Sequence, residues 1–492
     1  MTRTVAPLGD GDEADWKRAD WGRADWAQVG TPQLWRFHLH YWDWAWALAA
    51  DSDQRRARRL FGRMWQSWQA SVQPGRGDAW LPYPAALRAW SWCGLHRHLV
   101  AGTKIEDSFI AALAAHAGFL RRHLESDVGG NHLIKDLKGL IGLGAFFADE
   151  RTVQQALDRL TGELRVQVLP DGGHYERAPA YHCQVLADLT DVVRLLHATE
   201  RKVPPELPIA IRRMRRWIGL ILSPGGNVPL LNDGYPVPPE LIAAIRPGPP
   251  PDQQLCVLPD SGLVRADVGG WSLLADIGLP CPDQLPAHAH ADTLGCLLSW
   301  DGKPLLVDTG TSSYAPGAVR AYERSTAAHN SVEVDSSDST EVWNAFRAGR
   351  RARVRDVRTT SDPGAVSIEA VHDGYRGLPG RPLHRRRWSL TPSALRVDDV
   401  LTGRGRHTAI VRWHLPPGSM LRVSDAGIEI RTPDGEFTAA VTTSGAAALS
   451  AEVAHVAEGF ARRVDAPVLA CAVTGTLPIR ITTYLQKAGT PA

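Results

Sequence analysis

The sequence lacks the features that mark several large protein classes. Its six cysteines (Cys93, Cys183, Cys256, Cys281, Cys296, Cys471) are scattered without a CxxC pair, which argues against a zinc ribbon or a disulfide framework and favours a reducing compartment. No uninterrupted apolar run reaches the roughly 18 residues of a membrane span, so none is expected. The opening MTRTVAPLGDGDEADW has neither an apolar h-region nor a small-residue cleavage pattern, and a cytoplasmic location is the corresponding expectation. Charge of one sign is missing too: 55 Lys and Arg against 53 Asp and Glu leave +2, too balanced for a nucleic-acid or membrane-surface footprint.

Tryptophan, by contrast, is abundant. There are 18, as many as Phe and Tyr together, and twelve of them (Trp16, Trp21, Trp26, Trp35, Trp42, Trp44, Trp46, Trp65, Trp68, Trp80, Trp90, Trp92) precede residue 93. Such a cluster reads either as core and interhelix packing or as a stacking platform for sugar rings, since an indole suits both. In DWKRADWGRADW the Trp recurs every five residues, which fits neither helix nor strand, and residues 1–30 read as an N-terminal arm.

Periodicity divides the 492 residues in two. From 31 to 246, segments such as LFGRMWQSWQA, PAALRAWSWCGLHRHLV, IEDSFIAALAAHAGFLRRHLE and PIAIRRMRRWIGLIL repeat apolar residues at three and four, as helices do. The run RPGPPPDQQ (246–254) ends any helix and reads as a stiff connector. From 255 to 492 the pattern is alternation with turns; in LGCLLSWDGKPLLVDTG the pair Asp301-Gly302 is a strong hairpin signal. The expected class is α+β multidomain, a helical domain and then a large antiparallel β-sandwich.

Three polar clusters interrupt the apolar pattern. In GGNHLIKDLKGL (129–140), Asn131 and His132 open a helix; Asn131 reads as an N-cap, or the pair reads as a site for an anionic group beside unpaired backbone N–H groups. PDGGHYERAPAYH (170–182) crowds His174, Tyr175, Glu176, Arg177, Tyr181 and His182 after a turn. In PAHAHADTLGCLL, His288, His290 and Asp292 share one face if they lie on a strand. His290, Asp308 and His329 then form a His₂Asp set suited to zinc, although an isolated sandwich histidine is more often a satisfied core or surface residue.

These clusters, together with LWRFHLHYWDW (34–44), WLPYPAALRAWSW (80–92), RSTAAHNSVEVD and HDGYRGLPG (372–380), resemble the heparinase II/III family of polysaccharide lyases across residues 34 to 490. The resemblance implies an incomplete (α/α) toroid followed by an antiparallel β-sandwich. It implies β-elimination beside a uronic acid. Asn131 and His132 match the positions that neutralise the carboxylate, Tyr181 is the leading acid/base residue, and His288 is the second; Tyr314 and Tyr322 are further candidates. Trp80, Tyr83, Arg88, Trp90, His174, Glu176 and Arg177 are candidate substrate contacts. In some members, residues matching His290, Asp308 and His329 hold a zinc ion, here expected to be structural, pinning the loop 309–328; no organic cofactor is expected. The implied partner is a uronate-containing glycan, with a homodimer admitted.

Members that degrade external polysaccharides are normally exported, whereas this sequence opens without a signal, so action on oligosaccharides or a glycan-assembly intermediate inside the cell is an alternative to a mis-assigned start. The basic stretches GRRARVR (349–355) and HRRRW (384–388) suggest sulfated glycans, or simply alternating charge on an exposed strand face. Two other classes stay open: a non-catalytic glycan-binding or biosynthesis accessory protein, and a zinc hydrolase using Asp292 or Glu333 as base.

Overall fold

The computed structural model describes residues 25–425 and 427–489; residues 1–24 of the arm, including Trp16 and Trp21, lie outside them. The chain forms two compact units. One holds the residues up to 167 with 184–212 and 238–246; the other holds 168–183, 213–237 and 247 onward. Two segments of the helical half therefore belong to the sheet unit, and both carry site residues. They are fastened there by Arg177, which donates to the carbonyls of Ser261 and Asp260, and by Trp217, whose indole N–H donates to Ser261 Oγ.

The helical half contains Gln54–Ser71, Pro82–Leu95, Glu106–Leu120, Gly130–Phe146, Glu150–Gln167, Pro179–Ala198 and Glu206–Ile221 as its longer helices, matching the periodic segments. Asp53 caps Gln54–Ser71 by accepting from the Arg56 amide. In Gly130–Phe146, thirteen of 17 residues are buried, so this helix is apolar nearly all round. Gly139 allows its close approach to Pro82–Leu95: a Cβ there would sit 3.0 Å from the backbone of Ala86. Lys138 is neutralised inside by Asp188 and Asp191, each at 2.8 Å.

Core packing accounts for most of the described early tryptophans. Trp42 stacks on Trp26 and Trp44, with centroids 5.6 and 5.1 Å away, and meets Phe61 and Trp92 edge-on. Trp65 meets Trp92 and Phe109 the same way. These geometries are the favoured ones for quadrupolar rings.

Among the described residues no helix is long and apolar enough to cross a membrane. The sheet unit carries, among the described residues, antiparallel sheets of five, eight and four strands and a two-stranded hairpin. The foreseen hairpin is Cys296–Trp300 with Lys303–Leu306, and its turn residues Asp301 and Gly302 both have positive φ, 46° and 80°, as a two-residue type I′ turn requires. Alternating burial along Leu383–Leu390, Ala394–Thr402 and Arg406–His414 sends Trp388, Val397 and Trp413 into one core. Outside the segments whose pattern predicts a strand, such as AVSIEAVHD, HRRRWSLTP, ALRVDDVL, TAIVRWHL and RITTYLQ, fall two long strands, Ala447–Gly459 and Arg462–Thr476. The first is alanine-rich and weak in β propensity, and only its pairing with the second makes it a strand.

Candidate active site

The segment carrying His288, His290 and Asp292 is not a strand but a loop that precedes Cys296–Trp300. Its carbonyls are tied one after another. Arg324 donates to the carbonyl of Ala289, Thr326 and Ser339 donate to that of Ala291, Ser331 to that of Thr293, and Arg386 to that of Leu294. Hydrogen bonds to these buried carbonyls hold an irregular segment in place much as a ladder holds a strand.

Both histidines converge on Asp233. Its Oδ2 accepts from His288 Nδ1 at 2.8 Å, and its Oδ1 accepts from His290 Nε2 at 2.9 Å. Thr311 Oγ donates to Oδ1 at 3.2 Å, and Arg320 donates through both terminal nitrogens, with Nη2 at 2.9 Å from Oδ2. The side chains of Asp233 and Arg320 are fully buried. Asp233 sits in Leu230-Leu231-Asn232-Asp233-Gly234, a turn bent so tightly that a Cβ on Gly234 would lie 2.3 Å from the carbonyl carbon of Leu230. Asn232 locks this turn to its neighbours: its side chain donates to the Arg177 carbonyl and accepts from the His290 amide, both at 3.0 Å.

With Nδ1 engaged, His288 has Nε2 as its working nitrogen, 3.7 Å from Glu176 Oε2. Burial disfavours its charged form, but the hydrogen bond to Asp233 and the Glu176 carboxylate outweigh this and lift its pKa above the ordinary value. Asp233 is held well below the carboxylate range: burial pushes it up, and Arg320 and the two histidines overcome that. The ring of Tyr181 lies 4.0 Å, centroid to centroid, from that of His288. The Tyr181 hydroxyl hydrogen-bonds the Tyr314 hydroxyl at 2.5 Å. Burial first, then the proximity of Tyr314, Tyr235 and Asp233, raises the Tyr181 pKa well above its usual value, so the phenol keeps its proton. Tyr235 and Phe460 add aromatic walls, with Phe460 5.4 Å from Tyr235 and 5.1 Å from Tyr314. A histidine oriented by a carboxylate beside a protonated phenol can move two protons in one reaction.

Of the sequence candidates, the fold brings together Tyr181, His288, Tyr314, Glu176 and His174, the last with Nδ1 3.7 Å from Glu176. Tyr322 packs on His455 at 5.2 Å and belongs to another surface of the helix Ala318–Arg324. Arg177 is a backbone clamp, because both terminal nitrogens are spent on carbonyls. Asp233, Arg320 and Thr311 were missed. Asn-Asp-Gly reads as a turn, and nothing local in AVRAYER sets Arg320 apart.

In the helical unit, the cap of Gly130–Phe146 is Gly129, with no side-chain cap bond, so Asn131 is a buried first-turn residue and not the N-cap. His132 Nδ1 lies 3.2 Å from Glu125 Oε1, and its ring lies 4.4 Å from that of Tyr83. Burial raises the nearby Asp136 pKa to about 8. The groove assignments of Trp80 and Arg88 do not hold. Arg88 is fully buried, donating to His116 Nε2, the His40 carbonyl and the Ala79 carbonyl, with its guanidinium over Trp68, Trp80 and Trp92. Trp80 is 6% exposed and lies against His116 at 4.4 Å. Trp90 is half-buried under the Lys138 ammonium.

The zinc set is partly assembled. His290 Nδ1 and His329 Nε2 are buried without hydrogen-bond partners, as ligand nitrogens would be. Asp308, however, accepts from His329 Nδ1 at 2.8 Å and from the Gly310 amide at 3.0 Å. Among the described residues no three His, Cys, Asp or Glu side chains form a metal-holding group.

Comparison with known proteins agrees with this architecture. The family description Heparinase II/III N-terminus matches residues 4–245, and Heparinase II/III-like, C-terminal matches residues 250–481. No curated protein matches the sequence. Among solved structures, heparinase III superposes with a TM-score of 0.81 at 15% identity, covering 95% of this chain and 80% of its own. Heparan sulfate lyase HepC from Pedobacter heparinus gives 0.64 at 17%, covering 95% and 79%. Chondroitin AC lyase from Streptomyces coelicolor A3, solved with chondroitin sulphate, gives 0.61 at 13%, covering 92% and 74%. The fold is thus an incomplete (α/α) toroid in the N-terminal half and a large antiparallel β-sandwich in the C-terminal half.

Proposed function

Because the chain belongs to the heparinase II/III family, matched in both halves, we propose that it is a lyase that cleaves a uronic-acid-containing glycan by β-elimination. The observation that carries this reading is the Asp233–His288 pair set against the Tyr181–Tyr314 hydroxyl pair.

In this reading His288 Nε2, with its tautomer fixed by Asp233, takes the proton alpha to the uronate carboxylate. The electron pair forms the new carbon–carbon double bond, the glycosidic C–O bond breaks, and Tyr181 gives its proton to the leaving oxygen. The protonated state of Tyr181, kept by burial and by the proximity of Tyr314, Tyr235 and Asp233, supports the acid role over the base role. Tyr314 orients the Tyr181 hydroxyl. From the family resemblance, Asn131 and His132 are proposed as the donors to the carboxylate, whose developing enolate needs fixed hydrogen bonds.

A structural zinc at His290, Asp308 and His329 is part of the same proposal, supported by the two unpartnered imidazole nitrogens. When bound it would cross-link the loop carrying His288 to the segment before Val332–Val334. Metal analysis of protein purified without chelators decides this, and a content well under one equivalent removes zinc from the proposal.

The test of function is incubation with alginate, heparan sulfate, hyaluronan and polyglucuronate while following the ultraviolet absorbance of the unsaturated uronate. At least one should react, and Tyr181→Phe should abolish the signal. A panel without any reaction, or a Tyr181→Phe protein as active as its parent, refutes it.

A further inference from the structure

The basic stretch 349–355 is not used by the proposed chemistry, and the fold gives it a definite place. A cavity of about 200 Å³ in the sheet unit is lined by Arg350, Arg351, Arg353 and Arg376, together with Cys281 and Asp283. It follows the hairpin of Val342–Trp343 with Arg347–Ala348, whose exposed aromatics are Trp343 and Phe346. That hairpin is anchored from within: Arg320 donates to the Ala345 carbonyl, and Arg324 donates to the carbonyls of Trp343 and Asn344. The hairpin that precedes the lining residues is therefore held by the same two arginines that hold Asp233 and the His288 loop.

Three of the four lining guanidinium groups pair with carboxylates, one of which, Asp283, itself lines the cavity. Arg350 pairs with Glu341 at 2.8 Å, Arg351 with Asp283 at 2.9 Å and Arg376 with Asp373 at 2.9 Å. No ion pair of the Arg353 side chain occurs among the described residues. Arg351 Nε is buried without an acceptor. Exposed pairs of this kind contribute little to stability, so an incoming anion displaces them easily. The planar fork of arginine matches a carboxylate or a sulfate ester bidentately. The volume lies below the roughly 300 Å³ at which ordinary ligand pockets begin, which suits one acidic group and not a whole oligosaccharide.

We propose that this cavity is an accessory subsite that binds one acidic group, carboxylate or sulfate ester, of a glycan chain. The inference deepens the lyase reading and rests on it for the kind of polymer involved. It is tested on the full chain carrying Tyr181→Phe, so that no probe is consumed, by calorimetric titration at low salt. The probes are a sulfated heparan tetrasaccharide and the unsulfated tetrasaccharide of the same backbone.

Adding Arg353→Ala with Arg376→Ala should weaken binding of at least one probe tenfold or more, and the charge-keeping Arg353→Lys with Arg376→Lys should restore a large part of it. In the chain with Tyr181 intact, the loss should appear in KM and not in kcat. Loss confined to the sulfated probe assigns a sulfate ester to the cavity, and equal loss for both assigns the carboxylate. Unchanged affinity in the Ala variant, or no binding of either probe by its parent, overturns the subsite. If the unmutated chain forms no unsaturated product, yet the probes bind and the Ala variant loses them, the lyase reading falls and the subsite stands.

Discussion

Replacing Asp233 by Asn tests the site at its centre. The carboxylate accepts from His288, His290, Thr311 and both terminal nitrogens of Arg320, in a place where neither Asp233 nor Arg320 has any exposed side-chain surface. An Asn amide keeps the shape, but it turns one acceptor into a donor facing donors and leaves the guanidinium without a counter-charge. Breaking a buried pair in this way costs about 3–5 kcal/mol. For a unit of this size each kcal/mol moves the melting temperature by about 2 °C, so a drop of roughly 6–10 °C is expected.

Activity should fall further than stability. Without Asp233 the tautomer of His288 is no longer imposed, and loss of one oriented acid/base group typically costs on the order of 10²–10⁴ in kcat. The pH profile separates the two effects. Because the folded pKa of His288 is raised, a neutral base forms only above it, and the ascending limb of kcat/KM should lie above the ordinary value of about 6.5. In Asp233→Asn the main raising influence is gone, burial dominates, and the limb should move to lower pH. The stability term has the opposite direction: a raised His288 pKa stabilises the fold at acid pH and loses its contribution as pH rises through that value. A variant that melts as its parent does and keeps the parent's limb would refute the central role given to Asp233.

Other expectations are simpler. Tyr314→Phe removes the partner of the Tyr181 hydroxyl, and should lower kcat about 10-fold with KM little changed, whereas Tyr322→Phe, set on His455, should leave steady-state kinetics as they are. Asp399 is held at about 2, because burial is outweighed by Arg386 and His384; its contribution of about 2 kcal/mol is present above the unfolded pKa near 4 and lost as pH falls through about 2. Acid titration of Asp399→Asn should therefore lack that part of the slope. Burial raises the Cys183 thiol to about 12 and those of Cys281, Cys296 and Cys471 to about 11, so a thiol reagent at neutral pH should reach the less buried Cys256 first, and native protein titrating for all six at once would contradict the packing.

Much of the architecture was legible because it rests on local periodicity. Apolar residues at three and four marked the long helices, alternation marked Leu383–Leu390 and Ala394–Thr402, and Asp301-Gly302 marked its turn. The strands Ala447–Gly459 and Arg462–Thr476 were not legible, since an alanine-rich segment becomes a strand only through its partner. Of HRRRW, Arg385 and Arg387 are exposed as alternation suggests, while Arg386 turns inward to Asp399 and to the carbonyls of Leu294 and Asn330.

The site divides in the same way. By itself the sequence determined the two-part fold, because hydrophobic period is a local property, and its resemblance to a known family singled out Tyr181, His288 and Tyr314 as the candidates proposed here for proton transfer. Tertiary structure alone decided that Asp233, 55 residues from His288 in sequence, accepts from that histidine and raises its pKa, and that Arg320 comes to neutralise Asp233. It also decided that Arg88 and most of the early tryptophans fill a core. Burial and electrostatic pairing depend on what folds back against a residue, and no window of sequence contains that.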